Sequence, residues 1–148
     1  MKDELRILRE HLERKGLKRT QQREVILRIF LELGDFLSVD EIGRAVQEQD
    51  RRIGLSTVYR SLKLFVEAGL AREHHFLDGK TCFERSRGRG KPRDYLVCTH
   101  CHKVQAFSDP LIEAVLEKVC RGLKFAQAFN RLEVYGLCSD CRGPVEDD

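Results

Sequence analysis

Apolar positions recur along the first half of the chain at helical spacing. In residues 20–33 (TQQREVILRIFLEL), Val25, Ile26, Ile29, Phe30 and Leu33 fall on one helical face, with Thr20 at an N-cap position and Gly34 as the stop. Ser38-Val-Asp-Glu41 has the spacing of a capping box and opens a second helix that carries Ile42, Ala45 and Val46 inward. A third helix begins near Ser56, buries Val58, Leu62, Phe65 and Val66, and ends at Gly69. The period then changes. Residues 72–84 (REHHFLDGKTCFE) predict two short strands joined at Asp78-Gly79. A two-residue turn there would set His75 opposite Cys82 and Glu73 opposite Glu84, all four on one face. His74, Phe76, Thr81 and Phe83 would then share the other face, with the phenylalanines packed on the helices.

The second half alternates in short runs: Tyr95-Leu-Val97, Val104-Gln-Ala-Phe107 and Leu132-Glu-Val-Tyr135. Between the last two, Ser108-Asp109-Pro110 starts a helix with Leu111, Val115 and Val119 on one face, and Gly122 ends it. Three helices followed by a hairpin is the order of a winged helix-turn-helix. The expected fold class is therefore α+β: a winged-helix domain in residues 1–85, a basic linker in 86–93, a small α/β domain in 94–142, and an acidic tail in 143–148.

Charge sharpens this division. Residues 1–85 hold 17 Lys and Arg against 15 Asp and Glu, residues 86–93 hold 4 against none, and residues 94–148 hold 6 against 9. The basic excess thus lies in the helical half and the linker. With 34% charged and 41% hydrophobic residues, no apolar run of membrane-spanning length and a charged helical start in place of a signal peptide, the expectation is a soluble cytoplasmic protein without a membrane partner. In that compartment the six cysteines read as thiols or metal ligands.

Two patterns carry chemistry. The outward face of the third helix presents Ser56, Thr57, Tyr59, Arg60 and Lys63. These residues supply hydroxyls and cations for phosphates, a guanidinium that can bond a guanine edge twice, and a ring for a thymine methyl. Cys98-Thr-His-Cys101 and Cys138-Ser-Asp-Cys141, separated by 36 residues, supply four soft ligands for a structural Zn2+. A thiol oxidoreductase would need a thiolate at a helix N-terminus after a strand, which neither pair offers, so no enzyme is expected. His100 and His102 read as exposed knuckle residues or as donors to the zinc thiolates, and Cys120 as a packed thiol or an oxidation-prone one.

Taken in order, Gly16-Leu-Lys-Arg-Thr-Gln-Gln-Arg23, Ile53-Gly-Leu-Ser-Thr-Val-Tyr-Arg60, Gly79-Lys-Thr-Cys-Phe-Glu84, the first cysteine pair and Arg131-Leu-Glu-Val-Tyr-Gly-Leu-Cys-Ser-Asp-Cys141 resemble the ferric uptake regulator (Fur) superfamily. The resemblance implies a metal- or peroxide-responsive transcription regulator. It implies a homodimer held by a zinc-stabilised C-terminal domain, and a double-stranded palindromic A/T-rich operator, normally under repression. By position, the family's base-reading tyrosine and arginine fall on Tyr59 and Arg60, its minor-groove lysine on Lys18, a phosphate-contacting arginine on Arg23, and its zinc cysteines on Cys98, Cys101, Cys138 and Cys141.

The chain departs from the family at the regulatory metal site. Histidines usual before the first cysteine pair are replaced by Pro92, Arg93 and Tyr95; Phe36, Ala106 and Asn130 stand at three further ligand positions; Glu84, Asp94 and Glu113 keep carboxylates. Either sensing is lost, with Arg93 standing where the cation would sit, or it is rebuilt for Fe2+, Mn2+ or Zn2+ around His75, Cys82 and Glu84 with Asp94 and Glu113. The plainer reading makes Cys82 a packed thiol and His75 a surface side chain. From a different functional class, the same surfaces would suit a protein-binding adaptor.

Overall fold

The computed structural model describes residues 1–86 and 94–144, and the chain divides into two compact units, Met1–Arg89 and Gly90–Asp148. Most of the basic linker, including Pro92 and Arg93, and the last four residues of the acidic tail lie outside the described residues.

The first unit opens with α1 (Lys2–Arg14), then α2 (Gln21–Leu33), α3 (Val39–Gln49) and α4 (Leu55–Glu67). The start of α2 is fixed by Thr20, whose hydroxyl accepts the Arg23 amide at 3.3 Å. The Ser38 and Glu41 side chains complete the capping box of α3, accepting each other's backbone amides at 3.2 and 2.8 Å. Gly54 is the N-cap of α4, which begins at Leu55, next to the expected Ser56. The helix leaves through Gly69 at φ 77°, whose amide returns to Val66 while that of Leu70 returns to Phe65, a Schellman closure that needs the left-handed backbone.

The core gathers Leu8 and Leu12 of α1, Ile26, Leu27 and Phe30 of α2, Ile42 and Val46 of α3, and Val58, Leu62 and Phe65 of α4. Removing these side chains from water is the main force holding the helices together. A polar clamp helps seat α1: the Arg9 guanidinium donates two bonds to the Glu24 carboxylate, at 2.8 and 3.1 Å.

The hairpin of β1 (Ala71–His75) and β2 (Thr81–Arg85) corrects the expected register. His74 pairs with Cys82, His75 with Thr81, and Glu73 with Phe83. The connection is a three-residue loop, Leu77-Asp78-Gly79. The Gly79 amide bonds the Phe76 carbonyl at 3.1 Å, the Phe76 amide bonds the Lys80 carbonyl at 3.2 Å, and Gly79 alone of these takes positive φ, 81°. This is a type I turn closed by a left-handed residue, whereas a two-residue turn would place Asp78 at positive φ as well. One extra loop residue shifts the register by one and exchanges the faces. Phe83 and Ala71 therefore enter the helical core, while Phe76 joins His74, Cys82 and Glu84 on the opposite, also buried, face.

The second unit is a three-stranded sheet of order β4-β3-β5, with β3 (Asp94–Cys98) antiparallel to β4 (Val104–Phe107) and parallel to β5 (Glu133–Gly136). The crossover carries α5 (Pro110–Gly122), capped by Asp109, whose carboxylate accepts the Leu111 amide at 2.8 Å. No residue of α5 is buried, and Leu111, Val115 and Val119 stand in solvent. Among the described residues, no helix is long and apolar enough to cross a membrane.

Candidate metal centre and DNA-reading helix

Cys98 closes β3, and the turn that follows brings Cys101 back, with the His102 amide on the Cys98 carbonyl at 3.0 Å. The second knuckle follows β5 in the same way, the Cys141 amide bonding the Cys138 carbonyl at 3.0 Å. Because β3 and β5 are neighbours, the two knuckles converge, and Thr99 ties them by donating its amide to the Gly136 carbonyl at 2.8 Å. The four sulfurs lie within 4.8 Å of one another, and Cys101 Sγ is 3.7 Å from Cys138 Sγ. A tetrahedron with Zn–S bonds of about 2.3 Å has sulfur–sulfur edges of about 3.8 Å, so the donor set fits zinc in size as well as in chemistry. Bound there, zinc cross-links the ends of two neighbouring strands.

The electrostatics agree. The Cys101 and Cys138 amides donate to Cys98 Sγ and draw that thiol down to about 5, so it is a thiolate at neutral pH. Hydrogen bonding with the Cys138 sulfur, then burial, pushes Cys141 up to about 12. Cys101 is raised too, as the Cys98 and Cys138 sulfurs and burial outweigh the pull of the Lys103 amide. Four thiols this close cannot all ionise until a cation joins them. Neither His100 nor His102 belongs to the group.

Within each unit the candidate second-site residues have separate surroundings. In the first unit, His75 is exposed and bonded to Thr81 Oγ1 at 3.0 Å, on the face away from Cys82 and Glu84. Glu84 is buried with its Oε2 2.9 Å from His74 Nε2. Phe36 and Phe76 flank the His74 ring, with centroids at 5.8 and 5.5 Å. In the second unit, Asp94 accepts the Leu132 amide at 3.3 Å, and Glu113 lies exposed in the first turn of α5. Among the described residues, the four cysteines are the metal-ligating group that comes together.

On α4, Ser56, Tyr59 and Arg60 are exposed and Thr57 half-buried, as a surface-reading face requires. Lys63 is different: its ammonium sits 2.6 Å from Glu73 Oε2 on β1 and 5.3 Å above the Tyr59 ring, and the carboxylate raises its pKa. Lys18 is exposed on the loop before α2, and Arg23 braces that loop by donating to the Lys18 carbonyl at 2.6 Å. Sequence reasoning missed the Glu73 and His74 pairings because both follow from the hairpin register; the type I preference of a three-residue loop was the signal available for it.

The fold and its four-thiol centre define a winged-helix protein with an appended zinc-knuckle domain. The profile of the ferric uptake regulator family matches residues 14–135, and the chain belongs to that family. It is 36% identical over 128 residues to the ferric uptake regulation protein of Neisseria meningitidis, covering 86% of this chain and 88% of the relative. It is 33% identical over 145 residues to that of Bacillus subtilis, covering 97% of each. The fold matches that of the Helicobacter pylori ferric uptake regulator with a TM-score of 0.86, at 23% identity over 98% of this chain and 95% of the other.

Proposed function

We propose that this DNA-binding regulator is a cytoplasmic, homodimeric repressor of an inverted-repeat A/T-rich operator whose response to a regulatory metal is altered or lost. The observation that carries the DNA reading is the exposed Tyr59-Arg60 pair on α4, packed against a hairpin wing. Arg60 reads a guanine edge, Tyr59 offers ring surface to a thymine methyl, and Ser56, Thr57, Lys18 and Arg23 meet phosphates. The exposed apolar face of α5, together with the open groove lined by Leu96, Val134 and Leu137, supports a dimer formed through the second unit.

Changed sensing is supported by what now engages the residues at the family's ligand positions. The Helicobacter pylori relative has three functional metal-binding sites. Here the retained Glu84 is held by His74 beneath two phenylalanine rings, Asp94 is committed to a backbone amide, and Tyr95 lies under the Arg131 guanidinium at 5.4 Å. Arg131 is itself ion-paired to Glu133 at 2.5 Å. An internal cation and an internal imidazole thus stand beside residues that a divalent ion would contact.

The test is binding of zinc-loaded protein to a palindromic A/T-rich duplex, with and without added Fe2+, Mn2+ or Co2+ under mild chelation. Tight, salt-dependent binding that ignores the added ion is expected, and Arg60→Ala should weaken it by about tenfold or more. Binding that appears with only one added metal would overturn the sensing reading. Absence of salt-dependent binding would overturn the DNA reading.

A further inference from the structure

A lysine on a reading helix is ordinarily a phosphate contact, free to follow the backbone of the duplex. Lys63 is not free. Its Nζ donates to Glu73 Oε2 at 2.6 Å and lies 5.3 Å from the centroid of the Tyr59 ring, one helical turn away on the same face of α4. The two members of the ion pair are unequal: the Glu73 side chain is 12% exposed and that of Lys63 41%. Glu73 is also the better anchored, because its cross-strand partner is Phe83, which sits in the helical core. The second carboxylate oxygen, Oε1, lies 3.5 Å from His75 Nε2. A fixed, largely buried anion on the wing therefore holds a long, flexible cation across the face of an aromatic ring.

We infer that Glu73 is a positioning residue for base reading: through Lys63 it fixes the Tyr59 ring, and it trades non-specific affinity for sequence discrimination. The inference rests on the DNA-binding reading of α4. Its physical content has two parts. A ring clamped by a cation searches fewer rotamers before meeting a base edge, so less order is lost when the correct base arrives. A lysine neutralised by a carboxylate displaces no counterion from DNA, so the pair adds little to binding of arbitrary sequence. Both effects widen the gap between operator and random duplex, the second by weakening the wrong complex.

The experiment compares the zinc-loaded full chain with its Glu73→Gln, Lys63→Gln and doubly substituted forms on a palindromic A/T-rich duplex and a scrambled duplex of equal length, over a range of salt. Glu73→Gln keeps the side-chain shape and removes the charge. It should tighten binding to the scrambled duplex, steepen the dependence of log K on log salt by about one unit, and reduce the operator-to-scrambled ratio by about three- to fivefold. In the Lys63→Gln background the same substitution should change neither slope nor ratio. An effect of equal size in both backgrounds would mean a general loss of negative charge and would overturn the inference. So would an unchanged slope and ratio in Glu73→Gln while Arg60→Ala weakens operator binding as expected. Wild-type protein that shows no salt-dependent binding would instead bring down the DNA reading itself. Lys63→Gln alters the pair from its exposed end, so the comparison survives should the wing tolerate the Glu73 change poorly.

Discussion

Glu84 illustrates what a buried carboxylate demands of its surroundings. A buried carboxylate needs partners, because its charged form is costly away from water. Here His74 supplies one at 2.9 Å, and the two side chains are only 1% and 4% exposed. Removing one partner of such a pair leaves the other under-compensated, so His74→Ala should lower unfolding stability by about 3 kcal/mol. Replacing both together, His74→Leu with Glu84→Met, should return most of that loss. Urea denaturation of the three proteins checks both statements, and equal midpoints throughout would remove the pair from the account. The backbone nearby supports a built arrangement: Phe36 holds φ 61°, a conformation a bulky residue adopts only when its surroundings fix it. In the sequence, Phe36 was legible only as a departure from a histidine. That its ring lies on His74 depends on the register of a hairpin far along the chain.

At the scale of elements, readability followed the range of the interactions. The capping box at Ser38, the cap at Asp109 and the stop at Gly69 are decided within a few residues, and the structure has each of them. The apolar stripes of α2, α3 and α4 were equally plain because burial imposes their period. The wing was legible as a hairpin but not in its pairing, since Asp78-Gly79 fits both a two-residue and a three-residue loop and only backbone geometry separates them. Cysteine spacing announced the metal centre, whereas the protonation of its thiols comes from amides that converge only in three dimensions. Gly69 shows how a local device governs a larger one: its left-handed backbone sends the chain from α4 into β1. Gly69→Ala should cost about 1–2 kcal/mol in thermal unfolding while leaving the zinc content unchanged. A melting temperature equal to wild type would show that the exit from α4 bears no strain.

For the whole molecule, the two units draw on different sources of stability. The first has a continuous core of buried aliphatic and aromatic side chains; in the second, the buried residues among those described are Asp94, Tyr95, Val97 and Cys98, all on β3. The second unit therefore relies on its metal. Zinc entering at neutral pH must displace the protons that Cys101 and Cys141 hold, while Cys98 meets it already ionised. Calorimetric titration of apo-protein in buffers of different ionisation enthalpy should give heats that differ between buffers, the mark of proton release. Heats identical in all buffers would contradict these thiol states. Chelation should unfold the second unit while the helical core of the first persists, as read by circular dichroism.

A helix that leaves one apolar side in solvent has a consequence for how such a chain is used. In the proposed dimer the exposed apolar side of α5 is covered by a second copy, and a newly made chain is half of a working object until it meets its twin. If operator occupancy belongs to the dimer, then below the dimerisation constant it rises with the square of the number of chains made. Expression level becomes an input to the circuit. Under the proposed loss of metal response, synthesis and turnover can then set the threshold that a free cation would otherwise set.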